Sequence, residues 1–245
     1  MRGCKGLLLL GAFFSTVAIS SIGTFDGCLQ LFAGNLPPKL DVESPKGARA
    51  ICYSDFAILH SGKTRTPIFV AERLNKLELA RAKENARFNK FFADRRLPAS
   101  ERAELEDYVG SGYDRGHMAP AGDMSNATSM EQSFSLANIV PQAPINNRKA
   151  WASIEKATRK YVLRAQGDVF VLTGPAYQSG YKTIGRNRVG VPSHLFKLVY
   201  DPAQKKVWAH WLENSDSAKV GKPISYEELV KRVGVEFLPV LNRQR

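Results

Sequence analysis

The sequence predicts one α+β domain. Short apolar or β-branched runs, typical of strands, are mixed with stretches of helical periodicity, and they show no regular βαβ alternation. No internal repeat or Ser/Gly-rich linker divides the 245 residues. Hydrophobic residues make up 44% of the composition and charged residues 24%, as in ordinary soluble domains, so extensive disorder is excluded.

Local patterns place the main elements of this domain. Strands are predicted where apolar, aromatic and β-branched residues cluster, at residues 50–60, 67–71, 168–173 and 194–200. Ser61, Gly62 and Lys63 separate the first two strands in a hairpin-like pattern. Helices are permitted or predicted by residue type, apolar spacing or a capping box, at residues 73–85, 100–107 and 151–165 and after Ser225.

The first 22 residues predict a cleaved export signal. Arg2 and Lys5 precede an apolar run at residues 7–19, and Ala18 and Ser20 are small enough for a signal peptidase site. The run is shorter than the roughly 20 residues of a spanning helix, which makes an uncleaved membrane anchor the weaker alternative. We therefore expect a periplasmic or extracellular protein that has no stable membrane contact once the signal is removed.

Residues 23–49 predict an irregular, Gly- and Pro-rich entry strap over the surface of the main domain, which is assigned to residues 50–245. Signal removal leaves Cys28 and Cys52, which could pair as a disulfide in an oxidising compartment. Two separate buried thiols are the alternative. No Cys-x-x-Cys pair or Cys/His cluster is present, which argues against a structural zinc site.

The chain is strongly basic. Lys and Arg total 35 against 23 acidic residues, so the formal charge of +12 favours a polyanionic partner. The chain lacks the glycine-rich nucleotide motifs and the Gly-x-Ser-x-Gly element of many hydrolases. These absences remove the sequence support for the common nucleotide-cradle and serine-hydrolase classes.

One segment carries the strongest chemical signal. In Asp114-Arg115-Gly116-His117 an arginine and a histidine are two residues apart, so in an extended strand they would share a face. An imidazole titrates near neutral pH, which makes His117 a candidate general base. Hydrolysis of a phosphodiester requires such a base together with cations that stabilise the charge on phosphorus-bound oxygens.

This segment and several downstream residues resemble the DNA/RNA non-specific endonucleases, the secreted Serratia-type nucleases of the ββα-metal class. The likeness extends from about residue 52 to residue 200 and rests on Asp114 to His117, Asn138 to Gln142, Asn147, Trp151, Glu155 and Arg159. It implies a ββα-metal fold with a mostly antiparallel central sheet flanked by helices. It also implies a Mg²⁺-dependent endonuclease, with Mn²⁺ as a substitute, that hydrolyses DNA and RNA and leaves 5′-phosphate ends.

The resemblance assigns roles to the matching residues. It makes His117 the general base and Asn147 the direct magnesium ligand, although Asn146 could equally serve and asparagine also caps helices. Glu155 would bind a metal-bound water, and Arg159 would contact the phosphate. A helix-face ion pair between these last two residues, which are four apart, is the structural alternative.

Further basic residues are candidates for substrate binding. Arg115 matches the motif arginine of the family, and Arg87 matches an upstream phosphate-binding arginine more loosely. Lys182, Arg186 and Arg188 lie among glycines, which suggests a flexible phosphate-gripping loop, with a solvated charged surface as the alternative.

The remaining histidines, His60, His194 and His210, have no ligand-like spacing and are interpreted as structural, although His194 lies on a strand that could border the cleft. The partners predicted are DNA and RNA of any sequence. A homodimer is left open, and no inhibitor protein is identified by the sequence. The rival function is a non-catalytic, polyanion-binding protein of the cell envelope, which would bind nucleic acid without turnover.

Overall fold

The fold is given by a computed structural model that describes residues 24–40 and 47–242. The predicted export signal at residues 1–22 lies outside these ranges. Within them, none of the helices combines the length and the apolar character that a membrane crossing requires.

Twelve strands occur in the described ranges. They are β1 (Lys39–Leu40), β2 (Ala48–Cys52), β3 (Phe56–Ser61), β4 (Thr66–Leu74), β5 (Asp114–His117), β6 (Ile139–Gln142), β7 (Val169–Ala176), β8 (Thr183–Ile184), β9 (Val189–Gly190), β10 (His194–Asp201), β11 (Lys206–Glu213) and β12 (Val235–Glu236). Six of them form the central sheet in the order β11-β10-β7-β4-β3-β2, and every neighbouring pair is antiparallel. The predicted α+β class with a mostly antiparallel central sheet is therefore confirmed.

Five α-helices accompany the sheet: α1 (Lys76–Ala82), α2 (Ala127–Ser133), α3 (Ala152–Val162), α4 (Tyr226–Val233) and α5 (Pro239–Asn242). The predicted cap of α4 is confirmed, because the Ser225 side chain accepts a hydrogen bond from the Glu228 backbone N–H. A helix at residues 100–107 is not formed, and only a short 3₁₀ turn occurs at Leu105–Tyr108. There Glu104 and Asp107 bond to each other's backbone N–H groups, which closes a single turn.

The sheet is buried on both faces because its strands alternate between two apolar layers. On one face Phe69 and Phe196 pack with α4 and the N-terminal segment. On the other face Val70 and Leu195 lie in the same apolar cluster as Ile154 of α3. The second layer fixes α3 against the sheet, and α3 carries two of the predicted site residues.

The N-terminal segment contributes to the core as well as leading into the domain. Cys28 is joined to Cys52 at the end of β2, so the predicted disulfide is present in the structure. Leu31 and Phe32 are only 4% and 3% exposed, in contrast to a strap lying on the surface. In addition, β1 pairs with β12, which brings residues 39–40 together with residues 235–236.

Candidate active site

A cavity of about 260 Å³ brings the main predicted site residues together. Its wall contains Arg87, Arg115, His117, Asn147, Glu155 and Arg159, with Phe91 and residues 120–122 completing it. These residues come from the segment after α1, from β5, from the turn after β6 and from α3. The residues that were selected by their spacing in the sequence therefore meet in one cavity of the fold.

The two-stranded ribbon of β5 and β6 forms one side of this cavity. His117 pairs with Ile139 and Arg115 with Pro141 in an antiparallel register. Because side chains alternate along a strand, Arg115 and His117 face the cavity together, as the sequence predicted. Asn138, at the start of the ribbon, is fully buried and bonds through its side chain to both backbone groups of Ala119, which fixes the loop that follows His117.

Gly116 between these residues is required by the packing of the ribbon. A Cβ atom at this position would lie 2.0 Å from Oε1 of Gln142 and 2.7 Å from its Cβ. Gln142 is fully buried, and its Nε2 donates a 2.7 Å hydrogen bond to Asn146, so its side chain cannot move away cheaply. The glycine of the motif thus allows the side chain of Gln142 to cross the strand.

We expect Gly116→Ala to destabilise the fold and to displace His117. Overpacking in a filled core costs about 1–3 kcal/mol, which should lower the midpoint of thermal unfolding by several degrees. Gly221→Ala is the matched control, since a Cβ atom there meets nothing within 4 Å. Equal melting midpoints for the two variants in differential scanning calorimetry would contradict this reading of Gly116.

The His117 imidazole is held between two aromatic rings. Its ring centroid lies 5.3 Å from that of Phe91 and 4.9 Å from that of Phe134. Nε2 is buried and has no hydrogen-bond partner among the described residues. Burial, followed by the positive charges of Arg87 and Arg115, lowers the pKa of His117 from 6.5 to about 3. The imidazole is therefore neutral at physiological pH and has a lone pair available to accept a proton.

The two neighbouring asparagines have different environments. Both amide atoms of Asn146 are used inside the protein, since Oδ1 accepts from Gln142 and Nδ2 donates to the carbonyl of Glu213, each at 2.7 Å. Asn147 instead lines the cavity, and its Nδ2 donates to Asp114 at 3.0 Å. This bond orients the amide and leaves Oδ1 of Asn147 without a described partner. The geometry favours Asn147 over Asn146 as the ligand.

A short π-helical segment at Asn146–Trp151 leads directly into α3. Single π-turns inside helices are wider than α-turns and often occur at functional sites. This segment connects Asn147 to the helix that carries Glu155 and Arg159, and all three side chains line the same cavity. Burial raises the pKa of Glu155 to about 7, with the charge of Asp123 acting in the same direction and that of Lys197 opposing it.

Arg159 pairs with Asp123 rather than with Glu155, its partner in the structural alternative. Nη1 of Arg159 lies 2.8 Å from Oδ1 of Asp123, which is 4% exposed. The turn containing Gly122 approaches α3 closely enough that a Cβ atom at Gly122 would lie 3.3 Å from the guanidinium. Arg159 is thereby anchored at one end of its guanidinium, while Glu155 keeps its carboxylate toward the cavity.

Aromatic rings support the two other arginines of the cavity. The guanidinium of Arg115 lies 4.4 Å from the ring centroid of Phe91, and that of Arg87 lies 5.4 Å from the centroid of Phe134. Such cation–π contacts hold a guanidinium in place without neutralising its charge. The cavity therefore carries three guanidinium groups near one carboxylate, which is suited to a phosphodiester.

The structure separates the basic run Lys182, Arg186 and Arg188 from this cavity. All three side chains are exposed; Lys182 immediately precedes β8, and Arg186 and Arg188 lie in the turn between β8 and β9. The turn is pinned rather than free, because Asn187 donates two hydrogen bonds from its side chain and one from its backbone N–H to the carboxylate of Asp107. Lys182 lines a second, separate cavity.

The sequence did not identify several groups that position the site. These are Phe91, Phe134, Asp114, Asp123 and Gln142. Asp114 did carry a sequence signal, because it opens the motif, but no role was assigned to it. Phe91, Phe134 and Asp123 had none, because each meets its partner only through the tertiary fold.

The cavity contains oxygen donors suited to a hydrated divalent ion. Among the described residues, no group of three or more His, Cys, Asp or Glu side chains could hold a metal. Mg²⁺ needs few protein ligands because it retains several waters, and it prefers oxygen. The unpartnered Oδ1 of Asn147 and the carboxylate of Glu155 face the same space. These residues fit such an ion, with one direct ligand and one partner for its waters.

Comparison with known proteins decides the family. The sequence model described as DNA/RNA non-specific endonuclease matches residues 39–244. The chain belongs to this family. The resemblance drawn from the motif residues is therefore confirmed, and the match also covers β1, α4 and α5, which lie outside the likeness seen in the sequence.

Individual members of the family show how far the similarity extends. The chain is 34% identical over 219 residues to "Nuclease EXOG, mitochondrial" of Xenopus laevis, a match that covers 81% of this chain and 61% of that protein. It is 34% identical over 155 residues to human "Endonuclease G, mitochondrial", covering 60% of this chain and 52% of that protein. The chain thus spans less than two thirds of the length of these relatives.

A solved structure agrees with the fold. This structure is described as "Crystal structure of the EndoG/EndoGI complex: Mechanism of EndoG inhibition". It aligns with a TM-score of 0.70 at 27% sequence identity. The alignment covers 80% of this chain and 87% of that one. The predicted ββα-metal nuclease fold is therefore confirmed.

The relatives also correct one prediction. Relatives from frog, fish, human and fission yeast are named as mitochondrial nucleases. The predicted periplasmic or extracellular location is therefore wrong. That prediction rested on residues 1–22, which precede the part of the chain that matches the family.

Proposed function

We propose that the chain is a magnesium-dependent endonuclease that hydrolyses phosphodiester bonds in both DNA and RNA. The observation that supports this proposal most directly is the shared cavity of His117, Asn147 and Glu155 with three arginines. A neutral base, oxygen ligands for a divalent cation and guanidinium groups for the phosphate are the components that phosphodiester hydrolysis requires.

In this proposal His117 accepts a proton from the attacking water. Burial and the two arginines lower its pKa, which keeps the imidazole neutral but also weakens it as a base, and the negative charge of a bound phosphodiester would oppose the effect of the arginines. The rings of Phe91 and Phe134 restrict its rotation, which holds the basic nitrogen in a fixed direction. Cleavage of the bond between phosphorus and the 3′ oxygen would leave a 5′-phosphate, and the departing 3′ oxygen would take a proton from a water held near Glu155 to become a 3′-hydroxyl.

Asn147 and Glu155 would hold the magnesium ion, Asn147 through its amide oxygen and Glu155 through bound water. When bound, the ion would stabilise negative charge on the phosphoryl oxygens. Asp114 supports this arrangement from behind, since it accepts a hydrogen bond from Asn147 and pairs with Arg148 at 2.6 Å. Mn²⁺, which also prefers oxygen ligands, is expected to substitute.

Arg87, Arg115 and Arg159 would bind the scissile phosphate and its neighbours. Contacts made to phosphate and sugar carry no information on base sequence, so the substrate range should be broad. Arg186 and Arg188, on the exposed β8–β9 hairpin, would contact backbone phosphates farther along the strand.

The proposal is tested by digesting supercoiled plasmid and single-stranded RNA, each with magnesium and with a chelator. Both substrates should be cut with magnesium, and chelation should stop the cleavage. Tight binding of both polymers without any cleavage under either condition would instead support the rival, non-catalytic polyanion binder, and would reject the nuclease.

A further inference from the structure

A second cavity of about 460 Å³ lies next to the β5–β6 ribbon. It is larger than the cavity that contains His117, which is called the catalytic cavity below. Its volume falls within the usual range for small-molecule sites. Tyr113, which immediately precedes β5, forms part of its wall, while Arg115 two residues later lines the catalytic cavity. Two residues of extended strand span about 7 Å, so the two cavities are neighbours.

Hydrogen bonds join the wall of this cavity to residues that neighbour the proposed catalytic ones. Nδ2 of Asn214 donates to the carbonyl oxygens of Pro141 and Pro192, at 3.0 and 2.9 Å. Pro141 is the register partner of Arg115. The carbonyl of Glu213, in the same wall, accepts from Asn146, the neighbour of the proposed ligand. The second cavity is thus built on the same framework as the first.

Three rings and several neutral polar groups line the second cavity. The rings belong to Tyr113, Tyr181 and His194. Tyr181 is held in place, since its ring centroid lies 4.9 Å from that of Tyr177 and its edge packs on Gly190, where a Cβ atom would be 3.2 Å away. His194 is stacked on Trp211 with centroids 4.9 Å apart. Rings fixed in this way offer faces for stacking of another planar group.

The charges of the second cavity do not favour a phosphate. Among the described residues of its wall Lys182 is the one Lys or Arg and is exposed, and the acidic residue Glu213 belongs to the same wall. The catalytic cavity, in contrast, has three guanidinium groups. Gln178, Ser179 and Ser193 add neutral donors and acceptors. Planar rings with neutral hydrogen-bonding groups are suited to a base and a sugar.

We propose that the second cavity binds a nucleoside adjoining the phosphodiester bond that is cut, with its base stacked on Tyr181. This subsite rests on the nuclease function proposed above. Binding there requires the base to leave its stack, so the substrate is either single-stranded or a duplex that opens locally at this position. Stacking accepts any base, which keeps the site independent of sequence.

The test compares two short substrates of equal length and equal phosphate number. One is a single-stranded oligothymidylate, and the other is a deoxyribose-phosphate strand without bases. Wild-type protein should show a kcat/KM about 5- to 150-fold higher on the thymidylate strand, the factor expected for the loss of one stacked base. Tyr181→Ala should bring this ratio close to one, and Tyr181→Phe, which keeps the ring, should retain it.

Tyr161→Ala is the matched control, because Tyr161 packs against Trp208 and lines neither cavity. It should keep the wild-type ratio. A folded Tyr181→Ala variant with the wild-type ratio, or wild-type protein that cuts both strands equally well, would overturn the nucleoside subsite while leaving the nuclease function standing. Wild-type protein that cuts neither these strands nor plasmid would overturn the nuclease function and the subsite with it.

Discussion

His117→Ala is expected to lower plasmid cleavage by about 10²- to 10⁴-fold, the usual contribution of a positioned general base. The reason is that His117 provides the imidazole of a cavity otherwise lined by guanidinium, amide and carboxylate groups. DNA binding should persist, because the three arginines of the cavity remain. The rate of supercoil relaxation and the affinity for a fluorescent duplex, measured on the same preparation, separate the two effects.

His210→Ala serves as the control for loss of an imidazole. His210 lies on β11 opposite Lys197 and does not line the catalytic cavity. Its cleavage rate should stay near that of the wild type. If His117→Ala kept more than about a tenth of the wild-type rate, the loss would be far below the expected contribution of a general base, and another group would have to take the proton.

Asn147→Ala is expected to raise the magnesium concentration needed for half-maximal cleavage by at least about tenfold, since even changes behind a metal ligand have effects of about 10- to 100-fold. Affinity for DNA without metal should change little. Direct binding of Mn²⁺, followed by electron paramagnetic resonance, gives a readout that does not depend on turnover, and it should weaken in parallel.

Asn146→Ala is the informative comparison for this result. Its amide bonds to Gln142 and to the Glu213 carbonyl, so its loss should lower the melting midpoint through the framework. The magnesium concentration that the folded Asn146→Ala variant needs for half-maximal cleavage should stay close to that of the wild type. If the metal response instead changed with Asn146→Ala and stayed constant with Asn147→Ala, the assignment of the ligand would be reversed.

The site elements that local sequence could predict are those whose signals lie within a few residues. Arg115 and His117 share a face because strands have a period of two, and α3 was visible from apolar spacing between residues 151 and 165. The cap at Ser225 likewise depends on two residues close in sequence. In these cases the geometry follows from the backbone period alone.

Other features depend on pairing between distant segments. Asp123 meets Arg159 across 36 residues, and Asp114 meets Asn147 across 33. No local period encodes such a contact, so the ion pair of Arg159 with Asp123 could not be predicted from the sequence. The strand order of the central sheet has the same cause, since β4 lies beside β7 although they are far apart in the chain.

Some elements carried local signals that competed with one another. The strand β11, at residues 206–213, lies at the edge of the sheet. Its side chains do not alternate regularly between exposed and buried positions, so the strand was not predicted. At residues 100–107 helix-permissive side chains are drawn into tertiary contacts, for example Glu101, which pairs with Arg49 at 2.6 Å. Tertiary contact outweighed intrinsic helix preference there.

The pairing of β1 with β12 has a practical consequence. Leu40 and Val235, which are paired there, belong to the apolar layer on the sheet face opposite α3. A fluorescent reporter or affinity handle attached shortly after residue 242 would therefore emerge away from the cleft.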